Sequence, residues 1–420
     1  MQLTIDGTRF RFDNEFTYAD NPEGRADVHG LLMNARFIQG IFDDRANPER
    51  FARFGHDQWD ADAQTDRLIA ALPNWYRSGL RAFTVGFQGG GPCFTTENPT
   101  IDNNPFGLRG DTLDPAYAER MDRLIRAADK LGMAVIVSFF YGDQAARLLD
   151  DDAIRRAVTT ASRWLRDGEY TNVIIEVANE HNVPPFRKHP VLFEPYGVAT
   201  LIALARHESG GLPVGCSGTG GWMPNAIIDA SDVVLIHGNG QSRQQFENLM
   251  TRVRRRAPDK PVVCNEDSPA ISNMKVALRH GVSWGYYNNW SKQEPPTDWS
   301  LLSGLDRYFG WQMANCLGYQ PESIPESEQL TLIGFGKHEH ANGRRWPLLA
   351  CLDPERIDHV VFERNGQYVE TVYDDPFAVG WRSNWHHIGW PAEAGSHHWR
   401  AIARLRDGTS QTYEAMCEYA

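Results

Sequence analysis

The sequence has 420 residues, of which 41% are hydrophobic, and its formal net charge at pH 7 is −12. This length and hydrophobic content predict a large folded domain with an accessory module. The acidic balance argues against nucleic acid or an anionic membrane as a partner. No apolar run reaches about 18 residues, so no membrane-spanning helix is predicted. We expect a soluble protein, cytoplasmic as given, or secreted or periplasmic if a signal peptide has been removed.

The N-terminal segment predicts a β-hairpin. Residues 3–12 alternate apolar and polar side chains around Asp6-Gly7, a pair that is typical of a tight turn between two strands. We assign residues 1–34 to this hairpin, which would act as a cap.

From residue 35 onward, short apolar runs alternate with amphipathic segments. The runs predicted as strands are 37–42, 81–87, 133–140, 173–177, 213–216, 233–236, 261–266 and 282–290. Helical periodicity covers residues 62–78, 115–131, 153–165, 196–208, 244–255 and 299–317. Strands and helices alternating in this number predict an α/β fold, namely a (β/α)8 TIM barrel over residues 35–320.

The periodicity changes after residue 320. Residues 321–345 break it and are predicted to be a linker, whereas residues 346–420 alternate at the period of strands. An Asn365-Gly366 pair within residues 359–369 predicts a hairpin turn. We expect a small C-terminal all-β sandwich of about seven strands, as in immunoglobulin-like domains.

Two of the predicted barrel strands end in a carboxylate. One is followed by Ala178-Asn179-Glu180, and the other ends in Asn265-Glu266. The carboxyl ends of barrel strands open onto one face, where strands four and seven lie opposite each other. Cleavage of a glycosidic bond needs one carboxyl group as proton donor and a second to attack the sugar, about 5–5.5 Å apart when configuration is retained. We therefore predict Glu180 as acid/base and Glu266 as nucleophile, with Asn179 bonding the sugar 2-hydroxyl.

These residues resemble the motifs of the clan of retaining (β/α)8 glycoside hydrolases that includes the family-5 cellulases. The resemblance lies in residues 175–180, in Glu266 and in residues 284–290. In that clan an Asn-Glu pair at strand four carries the acid/base and a Glu at strand seven is the nucleophile. The resemblance implies the same roles for Glu180 and Glu266.

The resemblance also bears on residues around the catalytic pair. It implies that His237 lies near the nucleophile and that Trp290 stacks on a sugar ring. The arginine that many clan members carry near the nucleophile has no clear match, because Arg81 begins a predicted strand rather than ending one. The C-terminal part resembles the bacterial immunoglobulin-like modules that accompany secreted carbohydrate enzymes.

Four further polar residues fall at predicted strand ends and could line a substrate pocket. They are Asp43, Gln88, Tyr141 and Gln144. Hydrogen bonding within loops explains each of them equally well. Glu176 shares strand parity with Glu180 but lies deeper, so we expect a buried, paired carboxylate that has a structural role.

The histidine pairs could suggest a metal site, but none falls at a predicted barrel mouth. They are His338-Glu339-His340, His386-His387 and His397-His398. No metal and no cofactor is therefore predicted. The favoured hypothesis is a retaining glycoside hydrolase acting on an oligo- or polysaccharide. A non-catalytic carbohydrate-binding barrel and a metal-dependent barrel hydrolase stay open as alternatives, as does the oligomeric state.

Overall fold

A computed structural model describes residues 1–21, 24–54, 59–92, 98–295, 297–302, 304–335, 344–380 and 390–419. Its α-helices are α1 (Ala61–Arg77), α2 (Pro115–Leu131), α3 (Gly142–Ala145), α4 (Asp151–Asp167), α5 (Pro190–Phe193), α6 (Pro195–Glu208), α7 (Asn225–Ala230), α8 (Arg243–Arg256), α9 (Ile271–Arg279), α10 (Asn289–Lys292) and α11 (Gly304–Cys316). Its first eleven strands are β1 (Leu3–Asp6), β2 (Arg9–Phe12), β3 (Glu15–Phe16), β4 (Asn34–Arg36), β5 (Ala82–Gly86), β6 (Ala134–Phe140), β7 (Val173–Ala178), β8 (Val214–Gly215), β9 (Val234–His237), β10 (Val262–Glu266) and β11 (Gly285–Tyr286). The C-terminal strands are β12 (Leu330–Ile333), β13 (Arg344–Arg345), β14 (Leu348–Cys351), β15 (Ile357–Arg364), β16 (Gln367–Val372), β17 (Phe377–Ala378), β18 (Trp390–Pro391), β19 (Gly395–Leu405) and β20 (Ser410–Tyr419).

The N-terminal hairpin is confirmed. β1 pairs antiparallel with β2, with Leu3 opposite Phe12, and β3 extends this sheet. Gly7 has a φ of 59°, a backbone conformation that the turn requires and that glycine adopts without strain. The backbone N–H of Leu3 donates to the Thr171 carbonyl at 2.9 Å, which fastens the hairpin just ahead of β7.

The predicted parallel α/β architecture is present. Six strands form a parallel sheet in the order β11-β4-β5-β6-β7-β8, and β9 pairs in parallel with β10. Backbone hydrogen bonds connect the two sheets, among them those from Asp232 N to Val214 O and from Cys264 N to Ser283 O, each 2.8 Å long. These strands are buried on both faces, which explains their continuous apolar runs.

The first strand of this sheet differs from the prediction. The strand predicted at residues 37–42 is wrong, because β4 ends at Arg36 and turns follow it, with hydrogen bonds from Gly40 N to Phe37 O and from Phe42 N to Gln39 O. Residues 31–42 are all buried, so hydrophobicity could not locate the strand within this run. The last strand is also shorter than the predicted 282–290, because α10 begins at Asn289.

Helix α2 illustrates how local signals position the helices around the sheet. The Asp114 side chain accepts a hydrogen bond from Ala116 N at 2.9 Å, and Pro115 occupies the first helical position. Gly132 ends the helix with a φ of 77°. The face containing Met121 and Leu124 is buried. The helix predicted over residues 115–131 is therefore confirmed together with its caps.

The C-terminal part is antiparallel, as predicted for an all-β unit. Its sheets have the orders β12-β14-β17, β13-β18 and β16-β15-β19-β20. The predicted hairpin turn is present, with φ of 52° at Asn365 and 76° at Gly366. Residues 321–345, predicted to be a linker, contain β12, which pairs with β14. The immunoglobulin-like topology stays a prediction.

A membrane-spanning helix needs about 20 predominantly apolar residues. Across the described residues, none of the helices is long and apolar enough to cross a membrane.

Candidate active site

The carboxyl ends of four parallel strands bring a polar cluster together. Arg36 is the last residue of β4, His237 of β9 and Glu266 of β10. Asn179 and Glu180 follow directly after β7. Since strands aligned in parallel present their carboxyl ends on one face, residues 230 positions apart in the chain meet here.

The two predicted catalytic carboxylates lie next to each other. Glu180 and Glu266 each offer one oxygen that, with a ring nitrogen of His237, forms a set of atoms all within 4.8 Å of one another. His237 Nδ1 is 2.9 Å from Glu180 Oε1 and 3.6 Å from Glu266 Oε2. The contact between His237 Nδ1 and Glu180 Oε1 is a hydrogen bond, and its donor is whichever of the two groups carries the proton.

Glu266 is fixed at both of its oxygens. Arg36 Nε lies 2.7 Å from Oε2, and Asn239 Nδ2 donates to Oε1 at 2.7 Å. The residue is only 6% exposed. Burial raises the pKa of the Glu266 carboxyl above its ordinary value, while the positive charges of Arg36 and His237 oppose this rise. Removal of either cation would therefore raise this pKa further.

Glu180 is held differently, through its backbone. Its φ of 53° places it in the left-handed region, which is costly for a residue with a side chain and is often found at functional sites. Its N–H donates to Ser217 Oγ at 3.1 Å. Its side chain is 13% exposed and bonds His237. Glu180 thus points into the same space as Glu266 but keeps more contact with solvent.

Arg36 connects the cluster to a deeper layer. Its Nη2 donates to Asn179 Oδ1 at 2.7 Å, and its Nη1 lies 3.9 Å from Glu176 Oε2. Glu176 is fully buried and accepts a hydrogen bond from Asn265 Nδ2 at 2.9 Å. The expectation that Glu176 is a buried, paired carboxylate is confirmed. One guanidinium therefore orients Asn179 and contacts two carboxylates at once.

His237 is completely enclosed between the acidic side chains. Burial alone would lower the pKa of the imidazole, but the negative charges of Glu266 and Glu180 outweigh it, so its pKa is raised. The cluster contains three carboxylates, one guanidinium and one imidazole. A proton can be held at His237 or at either neighbouring carboxylate, which is the property that acid/base chemistry requires.

The other predicted pocket residues divide into two groups. Gln88 bonds Asn104 Oδ1 and Tyr141 N, and Gln144 bonds Asn103 N and Ile101 O, so both brace loops. The Asp43 N–H donates to Asn103 Oδ1. The structure does not bring these three side chains into contact with Glu180 or Glu266.

The second group consists of Tyr141, whose hydroxyl acts on the charge of Arg36, and Trp290. Gln293 donates to the Tyr141 hydroxyl at 3.3 Å, and this same amide bonds the Gly91 carbonyl. The Trp290 ring meets Trp346 edge-on, with centroids 4.0 Å apart. Trp346 precedes β14, so the C-terminal part reaches Trp290. A sugar-stacking role for Trp290 stays a prediction.

Sequence reasoning missed Arg36 and Asn239, both of which contact Glu266. Arg36 is a charged residue inside the apolar run 31–42. Because a buried charge is rare unless it is paired, a charged residue within such a run is the signal that could have identified it. Asn239 lies two residues after the end of β9, and its position beyond a strand end is the signal that could have identified it. Arg81, the arginine considered instead, bonds the Tyr319 hydroxyl at 2.7 Å.

The histidine pairs considered as metal ligands are not the residues whose possible ligand atoms lie close together. His397 bonds the Glu393 carbonyl and His398 lies 3.3 Å from Glu414. The segments with His338-Glu339-His340 and His386-His387 lie outside the described residues. Among the described residues, the set with metal-ligand geometry is Glu180, His237 and Glu266.

Comparisons with known proteins find similarity at the level of the fold but not of the sequence. No known protein family matches the chain by sequence. No curated protein does so either. A solved structure described as a glycoside hydrolase is similar over 93% of this chain and 94% of that chain, with 11% identity and a TM-score of 0.50.

Further solved structures similar to the chain are mannanases. A β-1,4-D-mannanase from Cryptopygus antarcticus covers 74% of this chain and 94% of its own, with 13% identity and a TM-score of 0.48. An endo-β-1,4-mannanase from Thermotoga petrophila covers 93% and 97%, with 12% identity and a TM-score of 0.44. The structural neighbours are thus glycoside hydrolases, and at 11% identity the first of these similarities establishes a shared fold.

Proposed function

We propose that the protein is a retaining glycoside hydrolase that cleaves an oligo- or polysaccharide by double displacement. The observation that carries this proposal is the approach of Glu180 and Glu266 to within 4.8 Å between carboxylate oxygens. Retaining enzymes place their carboxyl groups about 5–5.5 Å apart, whereas inverting enzymes leave about 6.5–9.5 Å for a water molecule. The separation here favours direct attack by a carboxylate on the sugar.

The proposed scaffold is a closed (β/α)8 barrel over residues 35–320. The hydrogen bonds from Asp232 to Val214 and from Cys264 to Ser283 support closure, because they join the six-stranded and two-stranded sheets at both edges. Residues 1–34 would then cap the barrel, residues 321–345 would cross to the second unit, and residues 346–420 would form an immunoglobulin-like sandwich.

The surroundings of the two carboxylates support their separate roles. Glu266 is held at both oxygens by Arg36 and Asn239, which suits a nucleophile that must stay ionised and fixed. Glu180 is more exposed and bonds His237, which suits a group that exchanges protons with a leaving group and with water. We therefore assign Glu266 as nucleophile and Glu180 as acid/base.

The first displacement follows from these assignments. A protonated Glu180 donates its proton to the glycosidic oxygen as the bond to the anomeric carbon breaks. Glu266 attacks the same carbon from the opposite side and forms a glycosyl ester. Asn179 keeps its amide N–H groups for the sugar 2-hydroxyl, because its oxygen is occupied by Arg36.

The second displacement returns the enzyme to its starting state. Glu180, now ionised, removes a proton from a water molecule, and the resulting hydroxide attacks the anomeric carbon. The ester bond breaks, Glu266 leaves as a carboxylate and Glu180 is protonated again. Two inversions at one carbon give net retention.

A metal-dependent hydrolase is the second candidate, because Glu180, His237 and Glu266 could together hold a metal ion. The position of Arg36, 2.7 Å from Glu266, disfavours this candidate, since a guanidinium already neutralises that carboxylate and would repel a cation. Metal analysis of the purified protein and assays with and without a chelator separate the two candidates. A glycosidase of the proposed type keeps its activity in the chelator.

The test of the proposed function compares Glu180→Gln and Glu266→Gln in a screen of aryl glycosides and polysaccharides. We expect each change to reduce kcat by at least about 1,000-fold, because a carboxylate essential to both displacements is lost. The matched control is Glu119→Gln, an exposed position on α2, which should keep full activity. Circular dichroism checks the fold. Full activity in either site variant would remove that residue from the mechanism.

A further inference from the structure

A cavity that contains none of the candidate catalytic residues lies where the C-terminal sheet meets the segments after β9 and β10. Its volume is about 330 Å³, within the range of about 300–1,000 Å³ of small-molecule pockets. It is lined by residues 240–243 and 245, by residues 268, 270, 272 and 273, and by residues 370–375. Both units of the chain therefore contribute walls to it.

The cavity shares backbone with the candidate catalytic site. Gly240 follows Asn239, which donates to Glu266, and Ser268 lies two residues after Glu266. Consecutive Cα atoms are about 3.8 Å apart. Gly240 is therefore one peptide unit from Asn239, and Ser268 is two peptide units from Glu266. The cavity walls therefore begin next to the residues that hold Glu266.

The side chains that line the cavity offer the groups that sugars require. Tyr373 is 64% exposed and presents an aromatic face with a hydroxyl. Among the described residues, no hydrogen bond is made by the side-chain amide of Gln241, which leaves its donors and acceptor for hydroxyl groups. Arg243 and Asp374 form an ion pair of 3.1 Å in the lining, to which Glu370 and Asp375 add two further carboxyl groups.

The C-terminal wall is anchored to the barrel loops. Ser272 donates from its N–H to Asp375 Oδ2 at 3.0 Å, and its hydroxyl donates to the other oxygen of the same carboxylate. Asp375 is two residues from Tyr373. These bonds anchor the segment that carries Tyr373 to the start of α9, and an anchored segment loses less entropy when a ligand binds.

We propose that this cavity is a subsite for a sugar unit of an oligosaccharide, with Tyr373 as its stacking face and Gln241 as its hydroxyl partner. The proposal rests on the proposed glycosidase function and narrows its substrate to chains of several units. It also assigns the C-terminal sheet a part in substrate binding.

The experiment measures binding rather than turnover. The full chain carrying Glu180→Gln is titrated calorimetrically with β-1,4-linked hexasaccharides of glucose, mannose and xylose. Adding Tyr373→Ala should raise the Kd of the best-bound hexasaccharide about tenfold, since an exposed aromatic contact is lost. Gln241→Ala should also raise this Kd, and it replaces Tyr373→Ala as the test variant if the tyrosine variant misfolds.

Tyr368→Ala is the matched control, because Tyr368 lies on β16, is 67% exposed and does not line the cavity. It should leave the Kd within about twofold. Equal Kd values for Tyr373→Ala and Tyr368→Ala, or no binding of any of the three hexasaccharides, would overturn the subsite. Because binding needs no catalysis, this failure is distinct from failure of Glu180 and Glu266 to support hydrolysis.

Discussion

At the scale of single residues, Arg36 organises the candidate site. It contacts Glu266, orients Asn179 and lies near Glu176, all from a position that is 1% exposed. A buried guanidinium serves three partners because its donors form a rigid planar fork. A lysine side chain at the same place has a single nitrogen and cannot contact Glu266, Asn179 and Glu176 at once.

The first residue-scale prediction concerns Arg36→Lys. Loss of the contact at Glu266 Oε2 removes a cause that lowers the pKa of this carboxyl, so the pKa rises. The acidic limb of the pH profile of kcat/KM should therefore move to higher pH by about one unit. It is measured with the aryl glycoside that the screen identifies.

Arg81→Lys is the control for this prediction, because Arg81 is also buried but bonds Tyr319 and backbone carbonyls away from Glu266. Its pH profile should match that of the parent. An acidic limb that stays in place in Arg36→Lys would mean that Arg36 does not control the ionisation of Glu266.

The residue scale also indicates what the sequence can predict. Glu180 and Glu266 could be selected as candidates because each follows an apolar run, a local pattern visible without any structure, and the structure places them within 4.8 Å of each other. Arg36 could not, because the first strand was predicted at residues 37–42, which placed Arg36 outside it. Its importance depends on partners 143 and 230 positions away, Asn179 and Glu266.

At the scale of elements, Asp267 connects the end of β10 to its neighbours. Its Oδ2 accepts hydrogen bonds from Trp284 Nε1 at 2.7 Å and from Asn273 Nδ2 at 3.2 Å. Trp284 precedes β11 and Asn273 lies on α9. Three elements thus converge on one carboxyl group beside the nucleophile.

This carboxyl group makes stability depend on pH. Burial raises the pKa of Asp267 to about 7 in the folded protein, although its hydrogen bonds oppose the rise, against 3.8 for the unfolded chain. The folded state favours the protonated form, so this contribution is fully present below pH 3.8 and is lost as the pH rises through about 7.

Asp267→Asn should remove this dependence. Between pH 5 and pH 8 the parent should lose on the order of 2 kcal/mol of unfolding free energy through this group, at about 1.36 kcal/mol per pKa unit. The variant should lose correspondingly less over the same range. Urea unfolding followed by tryptophan fluorescence at both pH values measures the difference. Equal losses in parent and variant would show that Asp267 is ionised in the folded state throughout this range.

Element boundaries explain the remaining differences from the sequence. Helix α2 was predictable because Asp114, Pro115 and Gly132 are local signals. Strands β8 and β11 lie inside the predicted strands 213–216 and 282–290, but their two-residue bounds could not be predicted, since so short a pairing is defined by neighbouring strands rather than by its own residues.

At the scale of the whole molecule, the C-terminal sheets are fastened to the parallel α/β part by specific polar contacts. Lys275 on α9 lies 2.9 Å from Glu355, and Gln312 on α11 donates to the Leu352 carbonyl at 2.6 Å. Together with the bonds between Ser272 and Asp375, these contacts accompany the position of β16 beside the cavity that residues 240–243 line. Such docking joins residues that are tens of positions apart, so periodicity alone could predict the two units but not their arrangement.

The anomeric configuration of the first product tests the central claim most directly. The substrate that the glycoside screen identifies is hydrolysed in an NMR tube, and anomeric proton signals are recorded before mutarotation mixes the two forms. Because Glu180 and Glu266 approach to within 4.8 Å, the account predicts a product with the configuration of the substrate. A first product of inverted configuration would contradict double displacement through Glu266.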